Sequence, residues 1–282
     1  MKQAELFNIK GHVAIVTGGA SGLGLAYAEV MAENGAKVVI ADLNKAELDK
    51  HVARLTAAGC TVEGIVLDVS DTDALREAID GVAKRHGRLD ALFANAGISA
   101  GPGTLLTPDG AIDKFDIAAY QRAIDINMTA TLLAMRFAVP HMKRQKSGSI
   151  VVTASIAGIQ AEPICGYGYV ASKAAVINIV RQAAVELAPY NIRVNSIAPG
   201  PFLTNIADGR LKKNPDAVKM FADMVPLGRI AHTDEIKGLA LLLASPAGSY
   251  LTGTVIPIDG GTTCVSTRGH YSDTLAHDGA NV

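Results

Sequence analysis

The heptapeptide YGYVASK at residues 167–173 sets two tyrosines ahead of one lysine. If the stretch is helical, Tyr169 and Lys173 are four apart and share a face, whereas Tyr167 is six back and points elsewhere. A free phenol ionises near pH ~10, too high for a base near neutrality, and an adjacent ammonium favours the phenolate. Such a pair could take a hydroxyl proton while a hydride leaves the same carbon. An alcohol is a poor hydride donor until it begins to become an alkoxide.

A second constellation lies near the start: Thr17-Gly18-Gly19-Ala20-Ser21-Gly22-Leu23-Gly24, between a β-branched run and a helical stretch. Missing Cβ atoms at Gly18, Gly22 and Gly24 let backbone approach a pyrophosphate, and the helix N-terminus favours its charge. The run KVVIAD then ends in Asp42. A carboxylate there can accept from the ribose hydroxyls of an adenosine and would repel a 2′-phosphate. No arginine or lysine stands at Ala20, Ser21 or Leu43, although Lys45 is close in sequence. The expected cofactor is NAD(H).

These residues need a frame. Short apolar runs at 12–17, 37–42, 61–68, 89–94, 149–154, 192–198 and 254–259 alternate with helical stretches at 22–34, 44–58, 71–86, 118–144 and 169–188. Strands this apolar, separated by crossovers of this length, belong to a parallel sheet covered on both faces. The expected class is a Rossmann-like, doubly wound α/β sheet of about seven strands in one domain. Segments 95–117 and 199–225 break the alternation after strands and are expected to wall the pocket or cover it. Residues 1–262 form the expected domain, and 263–282 read as a polar tail.

The glycine pattern TGxxxGxG, Asn95-Ala96-Gly97 after the fourth strand, Asn127, Ser155, Tyr169xxxLys173 and the closing Tyr250–Gly253 and Ile258–Gly261 stretches stand in one order. Together they resemble the short-chain dehydrogenase/reductase family, over about residues 8–262. The resemblance implies Tyr169 as general acid/base and Lys173 as its partner and ribose ligand. It picks Ser155 over Ser149 to polarise the substrate oxygen, and it implies that Asn127 interrupts its helix and holds a water linking the lysine to solvent. It further implies that Asn95, Ala96 and Gly97 lie by the adenosine ribose and that Asp68 and Val69 flank the adenine. Pro199, Gly200, Phe202 and Thr204 should lie at the nicotinamide end. Ser21, Leu23 and Leu43 join the glycines and Asp42 on the cofactor side. Ser155 and Tyr169 are 14 positions apart, one more than is usual in the family, so the loop 156–168 carries an extra residue.

On the substrate side the resemblance points to 98–102, 160–167 and 202–207, with Gln160 and Tyr167 as candidate contacts; for Tyr167, packing is the favoured reading over a pocket wall. These segments are mostly small or apolar, and their only charge is Glu162. Without an arginine cluster to hold a carboxylate or phosphate, the expected reaction interconverts a secondary alcohol and a ketone on an uncharged cyclic, aromatic, polyol or sugar substrate. Two other readings stand beside it. One is an NADPH-dependent 3-oxoacyl-thioester reductase; the other is a catalytically silent NAD-sensing protein.

Bulk properties agree with a small-molecule partner. Net charge is −1 over 282 residues, and no basic run marks a nucleic-acid or anionic-membrane surface. The N-terminal residues contain no secretory pattern and no apolar run approaches bilayer length, so a cytoplasmic protein is expected. Three separated cysteines and seven histidines without paired spacing give neither a disulfide framework nor a metal site. The family resemblance also implies a homotetramer built on paired helices at 118–144 and 169–188.

Overall fold

The computed structural model describes residues 2–101, 103, 106–204 and 215–265. Seven strands, β1 (Val13–Thr17), β2 (Lys37–Asp42), β3 (Thr61–Val66), β4 (Ala91–Ala94), β5 (Gly148–Thr153), β6 (Ile192–Pro199) and β7 (Val255–Ile258), pair in the order β3-β2-β1-β4-β5-β6-β7. Every pairing is parallel. α1 (Gln3–Leu6) precedes the first strand, and the crossovers are supplied by α2 (Gly22–Glu33), α3 (Lys45–Ala57), α4 (Thr72–His86), α5 (Ile117–Ala123), α6 (Ala130–Gln145), α7 (Tyr167–Leu187), α8 (Pro215–Asp223) and α9 (Lys237–Ala244).

The two faces of the sheet bury separate cores. One packs Leu75, Ile79 and Val82 of α4, Met135 and Met142 of α6 and Val176 and Val180 of α7 against alternate strand residues such as Ile15 and Leu92. The other packs Tyr27 and Met31 of α2, Leu48 and Leu55 of α3 and Leu243 of α9 against Val16, Ile40 and Phe93. Strands covered on both sides read as unbroken apolar runs, and all five residues of β1 are buried. Strand order reverses between β1 and β4. The carboxyl ends of these two strands therefore open a crevice, and in such sheets that crevice is where ligands sit.

One element departs from the simple reading. The expected single helix at 118–144 is three pieces: α5, a π-helical stretch Ile124–Thr129, and α6. The cause is Asn127, which is 1% exposed and binds across the crevice instead of to solvent. Its Oδ1 accepts from the Ile98 N–H at 2.8 Å, and its Nδ2 donates to the Ile98 carbonyl at 2.9 Å. An inserted π turn is how a helix accommodates such a diversion. The helix expected from residue 169 begins two residues earlier, so Tyr167 opens α7. Of the segments expected to form pocket walls, residues 102, 104, 105 and 205–214 lie outside the described residues, as do 266–282 of the tail.

Candidate active site

Gly18 and Gly22 adopt φ of +63° and +55°, the left-handed region that disfavours side chains. A Cβ on Gly24 would lie 2.1 Å from the Gly18 carbonyl oxygen, and one on Gly18 would lie 2.8 Å from the Ala96 Cα. The turn is therefore folded tightly on itself and on β4. It leads into α2, whose first N–H groups have no intrahelical acceptor and whose N-cap, Ser21, makes no side-chain capping bond. These free donors at a helix N-terminus fit a pyrophosphate, with Ser21, Gly22 and Leu23 supplying them. Thr204 closes over Gly22, its Cβ within 3.5 Å of where a Gly22 Cβ would stand.

Asp42 ends β2 at the same crevice. Its Oδ2 accepts from the Ala20 N–H and its Oδ1 from the Asn44 N–H, both at 2.9 Å, which fixes the carboxylate and leaves lone pairs for ribose hydroxyls. Leu43 beside it is exposed. Lys45 lies on α3 and pairs with Asp49 at 2.6 Å. Thr17, Val69, Ala96 and Ile126 line a narrow gap beside the turn and α6, too small to hold a ligand. Asp68 is exposed at its rim, held below the usual carboxylate range by hydrogen bonds from Ser70.

The proton-handling groups meet deeper in the crevice. Ser155, just beyond β5, caps a short 3-10 turn by accepting from the Ala157 N–H at 3.1 Å, and its hydroxyl lies near the Tyr169 phenol. Lys173 is 4% exposed and donates from Nζ to the Thr153 carbonyl at 2.8 Å. A Cβ on Gly97 would lie 3.2 Å from Asn127 Oδ1 and 3.6 Å from Lys173 Nζ, so those two side chains converge on one backbone position. Asn127 Nδ2 donates to Ser172 Oγ at 3.1 Å, and Ser172 in turn donates to the Tyr169 carbonyl at 2.8 Å. Four residues from three parts of the chain thus gather at one place.

The electrostatics reverse one expectation. Burial pushes the Tyr169 phenol up to about 12, the Cys165 thiol reinforces the rise, and the Ser155 hydroxyl pulls it back. Burial likewise lowers Lys173 to about 8. The lysine was expected to pull the phenol down. Instead its ammonium is turned to the Thr153 carbonyl, 5.6 Å from the phenol ring's centre, and burial disfavours the charged form of each partner.

Other expected contacts scatter around this centre. Gly200 is pressed against Asp259, where a Cβ would come within 2.7 Å, and its N–H donates to the Ile258 carbonyl; Pro199 ends β6. Phe202 is buried and bridges to Ala231. Gln160 is half-buried after the 3-10 turn. Tyr167 is exposed, with its ring 5.5 Å from that of Phe115. Residues 102 and 205–207 of the expected substrate segments are outside the described residues.

Three contributors went unnoticed in the sequence. Thr17 Oγ1 accepts from the N–H groups of Asn95 and Ala96 at 3.1 and 3.2 Å. Ser172 links Asn127 to the Tyr169 backbone. Thr153 binds Lys173. The period of two along a strand puts Thr153 on the same side as Ser155, a signal that was available.

Comparison with known proteins matches this geometry. The family profile described as enoyl-(acyl carrier protein) reductase matches residues 18–263. A 3-oxoacyl-(acyl-carrier-protein) reductase of Thermotoga maritima is 36% identical over 254 residues, covering 90% of this chain and 98% of its own. A cis-4-hydroxycyclohexanecarboxylate dehydrogenase of Sinomonas cyclohexanicum is 39% identical over 254 residues, covering 90% of this chain and 97% of its own. The crystal structure of a short-chain type dehydrogenase/reductase from Mycobacterium marinum superposes with a TM-score of 0.85 at 34% identity, covering 93% of this chain and 99% of that one. The chain belongs to the short-chain dehydrogenase/reductase family, whose members are oxidoreductases that use nicotinamide cofactors.

Proposed function

We propose that this protein is an NAD(H)-dependent oxidoreductase that interconverts a secondary alcohol and a ketone. The observation that carries the reading is the meeting of Ser155, Tyr169, Lys173 and Asn127 in one pocket beside a pyrophosphate-fitting turn. A bound nicotinamide would supply the hydride acceptor and, in its oxidised form, a positive charge favouring the phenolate. Ser155 holds the substrate oxygen by its hydroxyl, and Tyr169 receives the alcohol's proton or returns it to the ketone. Lys173 holds the cofactor's ribose and passes the proton toward Asn127 and solvent. Asn95, Ala96, Gly97, Asp68 and Val69 take the adenosine, and Pro199, Gly200, Phe202 and Thr204 take the nicotinamide end.

The preference for NAD rests on Asp42, a fixed carboxylate at the ribose edge, with Lys45 engaged by Asp49. Asp42→Ala should raise KM for NAD and lower KM for NADP, each by roughly tenfold, about the effect of gaining or losing one charged contact. A wild-type enzyme that prefers NADP would contradict this part of the reading. It would favour the second one, a 3-oxoacyl-thioester reductase, which the likeness to the Thermotoga maritima enzyme supports. A silent NAD-binding protein is disfavoured because all four groups of the pocket are in place.

For the substrate we favour an uncharged ring alcohol or a polyol, with Gln160 and Tyr167 among its candidate contacts. Among the described residues of 98–101, 160–167 and 202–204 the one charged side chain is Glu162, which is buried and engaged by the protein. The Sinomonas relative is named for a ring alcohol. No helix among the described residues is long and apolar enough to cross a membrane, and a cytoplasmic homotetramer is the proposed working form.

A further inference from the structure

Tyr27 is a buried phenol that the reaction does not use. It lies on α2, 0% exposed, with its ring stacked 5.1 Å from that of Phe93. Its oxygen is 3.4 Å from Thr153 Oγ1, which in turn is 3.0 Å from Asn95 Oδ1. Counting protons settles which way these bonds run. Asn95 Nδ2 donates to the carbonyls of Thr17 and Gly18, both at 3.1 Å, so its Oδ1 must be the atom that faces Thr153. An amide oxygen only accepts. The single hydroxyl proton of Thr153 therefore goes to Asn95, and Tyr27 must donate its own proton to Thr153 Oγ1. The chain runs from Tyr27 through Thr153 and Asn95 to the carbonyl of Gly18.

The carbonyl of the same Thr153 accepts the Lys173 ammonium at 2.8 Å. One residue thus reaches the cofactor-binding turn and α2 through its side chain, and the proton-handling lysine through its backbone. We propose that Thr153 and Tyr27 are positioning residues that lock the glycine-rich turn and Lys173 in one register, so that bound cofactor and proton-handling groups keep a fixed geometry. The proposal rests on the nicotinamide-cofactor reading above. A position two residues before the serine and one on the outer turn of the cofactor helix become determinants of both binding and rate.

The test uses Thr153→Val, which keeps the β-branched shape and removes the hydroxyl, Thr153→Ser, which restores a hydroxyl, and Tyr27→Phe. NADH affinity is read from the cofactor's own fluorescence, and kcat is followed against pH. Thr153→Val should weaken NADH binding by roughly three- to tenfold, the scale of one buried hydrogen bond. It should also lower kcat and move the pH at which kcat half-rises, because the strand end that carries Lys173's carbonyl acceptor is no longer held by the Thr153 hydroxyl. Thr153→Ser should return both toward wild type, and Tyr27→Phe should move them the same way by less.

If Thr153→Val does not fold, Tyr27→Phe and Thr153→Ser carry the same readouts. Variants that melt earlier yet keep wild-type NADH affinity and an unmoved pH profile would overturn the proposal, leaving the chain as packing alone. Wild type that binds neither NADH nor NADPH would remove the cofactor reading itself, and this proposal with it. Wild type that binds while the variants match it would sink only the proposal.

Discussion

Lys173 carries the thermodynamic mark of a functional charge. Its ammonium is 4% exposed and burial lowers its pKa from 10.5 to about 8. Below about pH 8 folded and unfolded chains both hold the proton, so the whole cost of burying the charge is present. Between about 8 and 10.5 the unfolded chain binds more protons, and stability rises with pH until the cost is gone. Lys173→Met should therefore stabilise the fold at pH 7 by on the order of 1–3 kcal/mol, with the gain shrinking as pH rises, while turnover is lost. Urea melts at several pH values check the sign. A variant less stable than wild type at pH 7 would show that the bond to the Thr153 carbonyl outweighs the desolvation.

The same residue shows where reading a sequence stops. Tyr169 and Lys173 were legible as a pair from their spacing on one helical face. The direction of their ionisation was not, because it depends on how deeply each is buried and on the Thr153 carbonyl, which comes from another strand. Thr153 and Ser172 were passed over for a like reason. A hydroxyl beside a recognised residue announces itself only once its partner's position is known.

At the scale of elements, the π turn at Ile124–Thr129 aims Asn127 at the crevice. Its side chain satisfies both the N–H and the carbonyl of Ile98, which ties α5 and α6 to the loop after β4. Asn127→Ala should leave both backbone groups unpaired and cost about 2–3 kcal/mol in denaturant melts, with kcat falling further than stability alone explains. A loss under ~0.5 kcal/mol would mean that water replaces the amide without penalty. The apolar period read as one helix there, while the family resemblance implied an interruption at Asn127; that it takes the form of a π insertion is specified by the contact at Ile98 and not by local propensity. Most other elements could be placed from their apolar runs and caps, such as Asp71 before α4 and the left-handed Gly87 after it.

For the whole molecule, the parallel sheet followed from strands apolar on both faces, and the family follows from the profile that matches residues 18–263. Which atoms close the cofactor cleft could not be read so directly, because Asn95 and Ala96 meet the Gly18 turn from a distant part of the chain. Association is a property of this scale too. Helices α5, α6 and α7 leave Ile117, Leu132 and Val185 largely open in the single chain. The account predicts a homotetramer by light scattering, and a smaller species for Leu132→Glu with Val185→Glu. A monomeric wild type would contradict it.

The central claim is that Tyr169 handles the proton of an NAD-linked alcohol oxidation. The most direct measurement is the initial rate of NAD and NADP reduction across secondary ring alcohols and polyols, with wild type and Tyr169→Phe compared side by side. The account predicts turnover with NAD over NADP, reduced by on the order of a thousandfold or more in the variant, consistent with the loss of a general acid/base. Turnover that survives in Tyr169→Phe would contradict it.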